Sequence, residues 1–249
     1  MKLDYHALGD TGIQLVFGTE ITEETNQKIR MFADYLNDHP IDGVVEWVPA
    51  YTTLTIYYLP RKLSFVSLRK KLEEVNEKQQ GREAASASLV YIIPTYYGDD
   101  AGSDLPFVAE HNGLTKEEVI ATHSEKDYLI YMMGFVPGFP YLGGMPEEIA
   151  TPRRENPRAE IAPGSVGIAG AQTGVYPLES PGGWQIIGRT PVKLYDPDSD
   201  YPILLESGHY LRFVSVSKEE YEKIEDAVKC GEYVVETEEK KVGLRHEVG

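Results

Sequence analysis

Between Gly134 and Tyr195 the chain concentrates 11 of its 23 glycines and 9 of its 16 prolines in 62 residues. Proline removes a backbone donor and fixes φ, while glycine weakens helices and opens the positive-φ region. No helix of ordinary length fits such a stretch. Short strands joined by tight turns do, so the segment predicts a barrel or sandwich. The segment is also electrically neutral, because Arg153, Arg154, Arg158, Arg189 and Lys193 balance Glu147, Glu148, Glu155, Glu160 and Glu179, with no Asp. The formal net charge of −16 therefore lies in the rest of the chain. A neutral, arginine-bearing region on an acidic protein is where a small anion is drawn. Arg153, Arg154 and Arg158 are close enough in sequence to hold a carboxylate or phosphate bidentately. The competing reading is surface pairing with Glu155 and Glu160.

The first 83 residues have a different texture. Leu3 to Leu8 and Ile13 to Phe17 flank Gly9-Asp10-Thr11-Gly12, a hairpin signal. Ile29, Phe32, Ala33 and Leu36 then follow helical spacing, with Thr22 as N-cap and Glu23 and Glu24 in the first turn. Val44 to Val48 and Thr53 to Leu59 read as strands, and Phe65, Leu68, Leu72 and Val75 line one face of a second helix. The predicted order is β-β-α-β-β-α. Periodicity is lost by Glu83, which sets the boundary of a small α/β domain at residues 1–83. A second domain, 84–216, begins with a strand from Leu89 that Pro94 is expected to end. Asp104 is placed to cap a short helix stopped by Gly113, Thr115 to Glu118 spells a capping box, and Tyr128 to Met133 reads as a strand. Residues 217–249 form a C-terminal helix and tail: Ser217 to Glu220 is another capping box, the helix stops at Gly231, and Tyr233 to Val235 is strand-like.

Charge and composition exclude several functions. A field of this sign repels nucleic acid and anionic membrane surfaces. No apolar run approaches the roughly 20 residues a spanning helix needs. One cysteine, Cys230, allows no internal disulfide and points to a reducing cytoplasm. In its acidic surroundings Cys230 has nothing to activate it and reads as a half-buried helix residue. The six histidines form no metal-ligand spacing, so no metal site is expected. His111, at a helix C-terminus, is a candidate acid/base group or a simple helix cap. Gly183 to Thr190 nearly spells a phosphate loop, yet Pro191 and the alternation after it indicate a strand. Gly164-Ser165-Val166-Gly167 lacks the first glycine of a nucleophile elbow, leaving Ser165 as a ligand-binding hydroxyl or a turn serine. Phe135 to Gly144, Gln172 to Tyr176 and Gly182 to Gln185 each join aromatics to polar or glycine positions, and together they suggest one shared site.

Those segments, with Ala150 to Arg154, Pro163 to Gly170 and Ser180 to Pro191, resemble the allophanate hydrolase subunit 1 family. Glu46 to Tyr58 and Glu110 to Leu114 agree with it, so the resemblance runs over roughly residues 3 to 216. Two positions depart from the family pattern: Tyr96-Tyr97-Gly98-Asp99 stands where Cys-Tyr-Gly-Gly is common, and Ala171 stands where an Arg often precedes Gln-Thr-Gly. The resemblance implies an α+β protein, with the small N-terminal domain followed by a cyclophilin-like β-barrel. It implies one component of a heteromeric 5-oxoprolinase, inactive alone, working with A-like and C-like partners. Such an enzyme opens a small lactam to glutamate with ATP and Mg²⁺, the nucleotide lying on a partner or at an interface. Carried onto the matching segments, His111 and Arg158 are candidate catalytic groups. Arg153, Arg189, Ser165, Gln172 and Thr173 are candidate substrate contacts, and Phe139, Tyr176 and Trp184 candidate pocket walls. Two other readings stay open: a regulatory protein that binds a histidine kinase, and a non-catalytic half of an amide or lactam hydrolase.

Overall fold

The computed structural model describes residues 3–79 and 88–240, which fall into two compact units. The expected boundary near Glu83 and the terminus beyond residue 240 lie outside the described residues.

The first unit has the predicted order. It runs β1 (Asp4–Leu8), β2 (Gly12–Val16), α1 (Glu23–Asp38), β3 (Val44–Pro49), β4 (Thr53–Tyr58) and α2 (Phe65–Gln79). Its four strands form one antiparallel sheet in the order β1-β2-β4-β3. Alternation turns Ile13, Leu15, Leu54 and Ile56 to one face, where they meet Ile29, Phe32 and Leu36 of α1 and Leu68, Leu72 and Val75 of α2. All ten side chains are buried. Truncating any of the leucines to alanine costs about 2–5 kcal/mol. Thr22 caps α1 as predicted, its hydroxyl accepting from Thr25 N at 3.1 Å.

The second unit is also mixed. It contains β5 (Leu89–Thr95), α3 (Leu105–Asn112), α4 (Lys116–Ser124), β6 (Tyr128–Met133), β7 (Pro140–Gly143), β8 (Arg158–Ile161), β9 (Ser165–Ala169), β10 (Gln172–Val175), β11 (Ser180–Gly182), β12 (Gln185–Arg189), β13 (Tyr210–Ser215), α5 (Lys218–Lys229) and β14 (Thr237–Glu239). The closed barrel expected for this region is not formed among the described residues. The ladders separate into a five-stranded sheet β14-β5-β13-β6-β7, a three-stranded sheet β10-β9-β12 and a pair β11-β8. Register shifts at Ile130/Met132, Ser180/Gly182 and Ile186/Gly188 interrupt pairing, and proline-rich turns keep the intervening strands short. An isolated bridge, Tyr96 to Arg189, connects the first two sheets. The strands enclose a main core that includes Ile93, Tyr128, Val166, Ile168, Ile187, Leu211 and Phe213.

Three local expectations are corrected. Strand β5 does not stop at Pro94 but runs to Thr95. Ile92 N donates toward Glu236 while Thr95 O accepts from Val216 N, so even-numbered residues face β14 and odd-numbered ones face β13. Pro94 therefore points its missing donor toward an edge where β14 has already ended, and the ladder loses nothing. The last strand is Thr237–Glu239 rather than Tyr233–Val235; Tyr233 and Val235 pack against the core instead. Cys230 is the exposed C-cap of α5, not a half-buried helix residue.

Candidate functional site

The arginines of the Gly/Pro-rich stretch converge on a residue far from them in sequence. Asp104 sits at the N-cap position of α3, but its carboxylate makes no cap bond. Asp104 Oδ1 accepts from Arg154 Nη1 at 3.0 Å and from Arg158 Nη2 at 2.8 Å, and Oδ2 accepts from Ile186 N at 2.6 Å. The Asp104 side chain is 7% exposed against 25% for Arg158 and 36% for Arg154. Arg158 also donates to Ser103 Oγ at 3.2 Å and to Trp184 O at 3.4 Å. A carboxylate this buried needs such charge-assisted partners. Asp104 thus fastens α3 to β8 and β12, and a buried partner replaces the expected surface pairing with Glu155 and Glu160. Its only signal in the sequence is that of a helix cap.

A cleft of about 450 Å³ opens beside this junction, lined by Arg158, Glu160, Ser165, Arg189, Tyr96 and the α5 residues Lys218, Tyr221 and Glu225, among others. Ser165 and Arg189 face each other directly across the β9–β12 ladder, so their side chains leave the same face of the sheet. Gly164, at φ +79, makes the turn that starts β9 here, with its N–H on Tyr176 O at 2.7 Å and its carbonyl taking Thr190 N at 2.9 Å. A side chain at 164 would run into Thr190 O. Arg189 Nε donates to Pro163 O at 3.0 Å. The roof is α5, started by the Ser217–Glu220 capping box and without a fully buried residue. At the rim, Lys218 Nζ lies 3.4 Å from Asp99 and Tyr96 Oη donates to Asp99 at 2.9 Å. Hydrogen bonds from Tyr96 and then Lys218 hold the Asp99 carboxyl below its usual range.

The expected aromatic walls lie elsewhere. Phe139, Tyr176 and Trp184 are buried against one another, with ring centroids 5.8–6.1 Å apart and near-perpendicular planes. They form a small core with Ile161, Ala169 and Ile186 and do not line the cleft. Burial pushes the Tyr176 hydroxyl up to about 12, against the opposing pull of Arg153 and Arg158. Arg153 is exposed and lies over the Trp184 ring at 5.8 Å. His111 is exposed on α3, stacked on Phe107 at 6.0 Å, and does not line the cleft. Gln172 begins β10, half-buried, and Gln185 donates to Pro152 O at 2.9 Å.

Thr173 leads to a histidine that the sequence does not single out. His123 is fully buried on α4, with Nδ1 2.8 Å from Tyr97 Oη and Nε2 2.7 Å from Thr173 Oγ1. The Phe213 ring lies 4.5 Å away, and Tyr128 Oη donates to the His123 carbonyl at 2.7 Å. Burial lowers the imidazole to about 3 and raises the Tyr97 hydroxyl well above its usual value. This row of neutral groups ties α4 to β10 within the core. A lone histidine in a helix of weak amphipathicity offers no spacing by which to find it. Among the described residues, no group of three or more His, Cys, Asp or Glu is placed to hold a metal ion.

Comparison with known proteins adds a family. Residues 3–205 match the family described as carboxyltransferase domain, subdomain C and D. The chain is 42% identical over 231 residues to the B component of the 5-oxoprolinase of Bacillus subtilis (strain 168), spanning 89% of this chain and 96% of that one. It is 41% identical over 210 residues to the B component of the 5-oxoprolinase of Escherichia coli O157:H7, spanning 84% and 94%. Among solved structures, the K. lactis urea amidolyase matches with a TM-score of 0.78 at 22% identity, over 96% of this chain and 16% of that one. That last likeness is one of fold.

Proposed function

The chain belongs to the family of carboxyltransferase domains, subdomain C and D, and from that membership we propose that it is the B component of a 5-oxoprolinase. In this reading it is one part of a heteromeric enzyme that opens 5-oxoproline to glutamate with ATP hydrolysis. The observation that carries the proposal is the 42% identity to a protein of that name over nearly the whole of both chains. The chemistry explains why several components are useful. A five-membered lactam is unstrained and its carbonyl is a poor electrophile. ATP, when bound, would supply a phosphoryl group to the amide oxygen with release of ADP. Water would then add to the ring carbon, the C–N bond break and the nitrogen take a proton, and a second water would release phosphate from the acyl phosphate to leave glutamate. Charge that develops on oxygen during these steps calls for fixed cationic donors in a site shielded from water.

Among the described residues, the cleft beside Arg158 and Arg189 is a region with such donors. The one segment that resembles a phosphate loop does not fit a nucleotide phosphate. Gly183 to Thr190 carries strand β12 rather than a loop opening a helix, so we assign ATP and its Mg²⁺ to the partner components or to their interface with this chain. Arg158 acts through the Asp104 junction as a positioning residue, and His111 stays a candidate only for contacts that a partner would bring to α3.

The test is reconstitution. This chain is purified with its A-like and C-like partners, supplied with 5-oxoproline, ATP and Mg²⁺, and assayed for glutamate and ADP with each component left out in turn. Glutamate formed only when this chain is present supports the proposal. A stable complex that turns over nothing overturns it and makes histidine-kinase binding the next assay.

A further inference from the structure

We propose that the cleft between the β9–β12 ladder and α5 is a pocket for a small carboxylate that also bears an N–H donor, with Arg189 and Ser165 holding the carboxylate and Glu225 facing the donor.

Three observations lead there. Ser165 is only 6% exposed and lines the cleft, yet its hydroxyl makes no side-chain hydrogen bond among the described residues. A hydroxyl that faces a cavity with no protein partner is available to a ligand. Second, the cations of the cleft are not equivalent. Arg158 is committed to Asp104 and Lys218 to Asp99, whereas Arg189 makes no ion pair among the described residues. The Arg189 Nε–H is used on Pro163 O, which fixes the plane of the guanidinium beside the Ser165 hydroxyl across the ladder. A guanidinium edge and an adjacent hydroxyl form a natural seat for one carboxylate.

Third, the opposite wall is acidic. Glu225 of α5 accepts from Tyr221 Oη at 3.4 Å and from Lys229 Nζ at 2.6 Å, and Arg189 lies near enough to help lower its carboxyl, after the hydrogen bond from Lys229. Glu160 and Glu222 stand at the same cleft. Such a wall repels a triphosphate and attracts an N–H donor. The volume of about 450 Å³ suits a metabolite of modest size. A monocarboxylate with a lactam or amino nitrogen meets all three conditions. The pocket is argued from this chain's own residues; the choice of 5-oxoproline as its ligand rests on the function proposed above.

The experiment is isothermal titration calorimetry on the purified chain with 5-oxoproline, pyrrolidin-2-one and ATP with Mg²⁺. Pyrrolidin-2-one keeps the ring and N–H but lacks the carboxylate. We expect 5-oxoproline to bind, pyrrolidin-2-one to bind at least about 10-fold more weakly, and ATP not to compete. Arg189→Met should weaken 5-oxoproline by about 10- to 100-fold. Ser165→Ala, which leaves the ladder intact, should weaken it by about 10-fold without changing the melting temperature. Lys28→Ala, on α1 of the first unit, should leave binding unchanged. Equal affinity for the two lactams, unchanged affinity in folded Ser165→Ala, or no binding to the isolated chain would each overturn the pocket. The two proposals fail separately. Turnover with an unaltered KM in Arg189→Met removes the pocket and leaves the oxoprolinase, while carboxylate-dependent binding without turnover in the reconstituted complex does the reverse.

Discussion

The His123 imidazole donates from Nε2 to the Thr173 hydroxyl, a direction fixed by what Thr173 does next. Thr173 Oγ1 gives its own hydrogen to Gly167 O at 3.1 Å, so it can only accept from the ring 2.7 Å away. Nδ1 is then the bare nitrogen, and it accepts from Tyr97 Oη. A second proton on the imidazole would turn Nδ1 into a donor, force that hydroxyl to reverse, and create a charge in a fully buried site. The folded group titrates at about 3, below the ordinary 6.5, so the unfolded chain takes up the proton first. Stability from this site is complete above about pH 6.5 and is lost as pH falls toward about 3, at no more than about 1.4 kcal/mol per pH unit. Urea unfolding of the second unit at pH 7 and pH 5 should show it. His123→Gln is expected to be less stable at pH 7, but to lose about 2 kcal/mol less than the parent between the two pH values. Parallel losses in the two proteins would count against the assignment.

Asp104 predicts an asymmetry among variants of one network. Removing its charge in Asp104→Asn leaves Arg154 and Arg158 facing each other without a counter-charge and should destabilise by about 3 kcal/mol. Arg158→Met leaves the carboxylate with Arg154 and Ile186 N and should cost less, about 1–2 kcal/mol. Denaturant midpoints at pH 7 rank them. An Arg158 variant as damaged as Asp104→Asn would mean that Arg154 does not share the load.

Gly164 tests the turn that delivers Ser165 to the cleft. Its φ of +79 is open to few L-residues, and an added Cβ meets the backbone oxygen of Thr190 rather than a flexible side chain. Gly164→Ala should therefore destabilise by about 2 kcal/mol or more. Gly9→Ala serves as the comparison, since it shares a positive φ but has open space around its Cβ, and should cost about 1 kcal/mol. Equal melting temperatures for the two variants would show that position 164 relaxes.

The two units differ in how much of them is legible in the sequence. In the first, the central strands β2 and β4 and both helices show their apolar positions, because each buries one face against a neighbour close in the chain. The pattern in Ile29, Phe32 and Leu36 suffices to place α1. In the second unit the deciding contacts are long-range. Asp104 reads as a helix cap because its partners lie 50, 54 and 82 positions onward. Composition draws Phe139, Tyr176 and Trp184 together, and they do meet, but nothing local says whether three aromatics enclose a ligand or each other. The closed barrel fails to form for a related reason: glycine and proline density dictates short strands, while closure depends on bulges such as that at Ile186/Gly188. Ser165 and Arg189, 24 positions apart and both suspected from sequence, become neighbours only through the register of β9 and β12.

Strand β14 lies at the edge of its sheet, paired among the described residues with β5 alone, and Lys240 N donates to Ser88 O at 2.7 Å. The first and last described residues of the second unit therefore lie side by side. A short linker between Ser88 and Lys240 would close the described part of the unit into a ring, which could be reopened at a distant turn. The edge strand thus makes circular permutation, rather than truncation, the natural way to rearrange this unit.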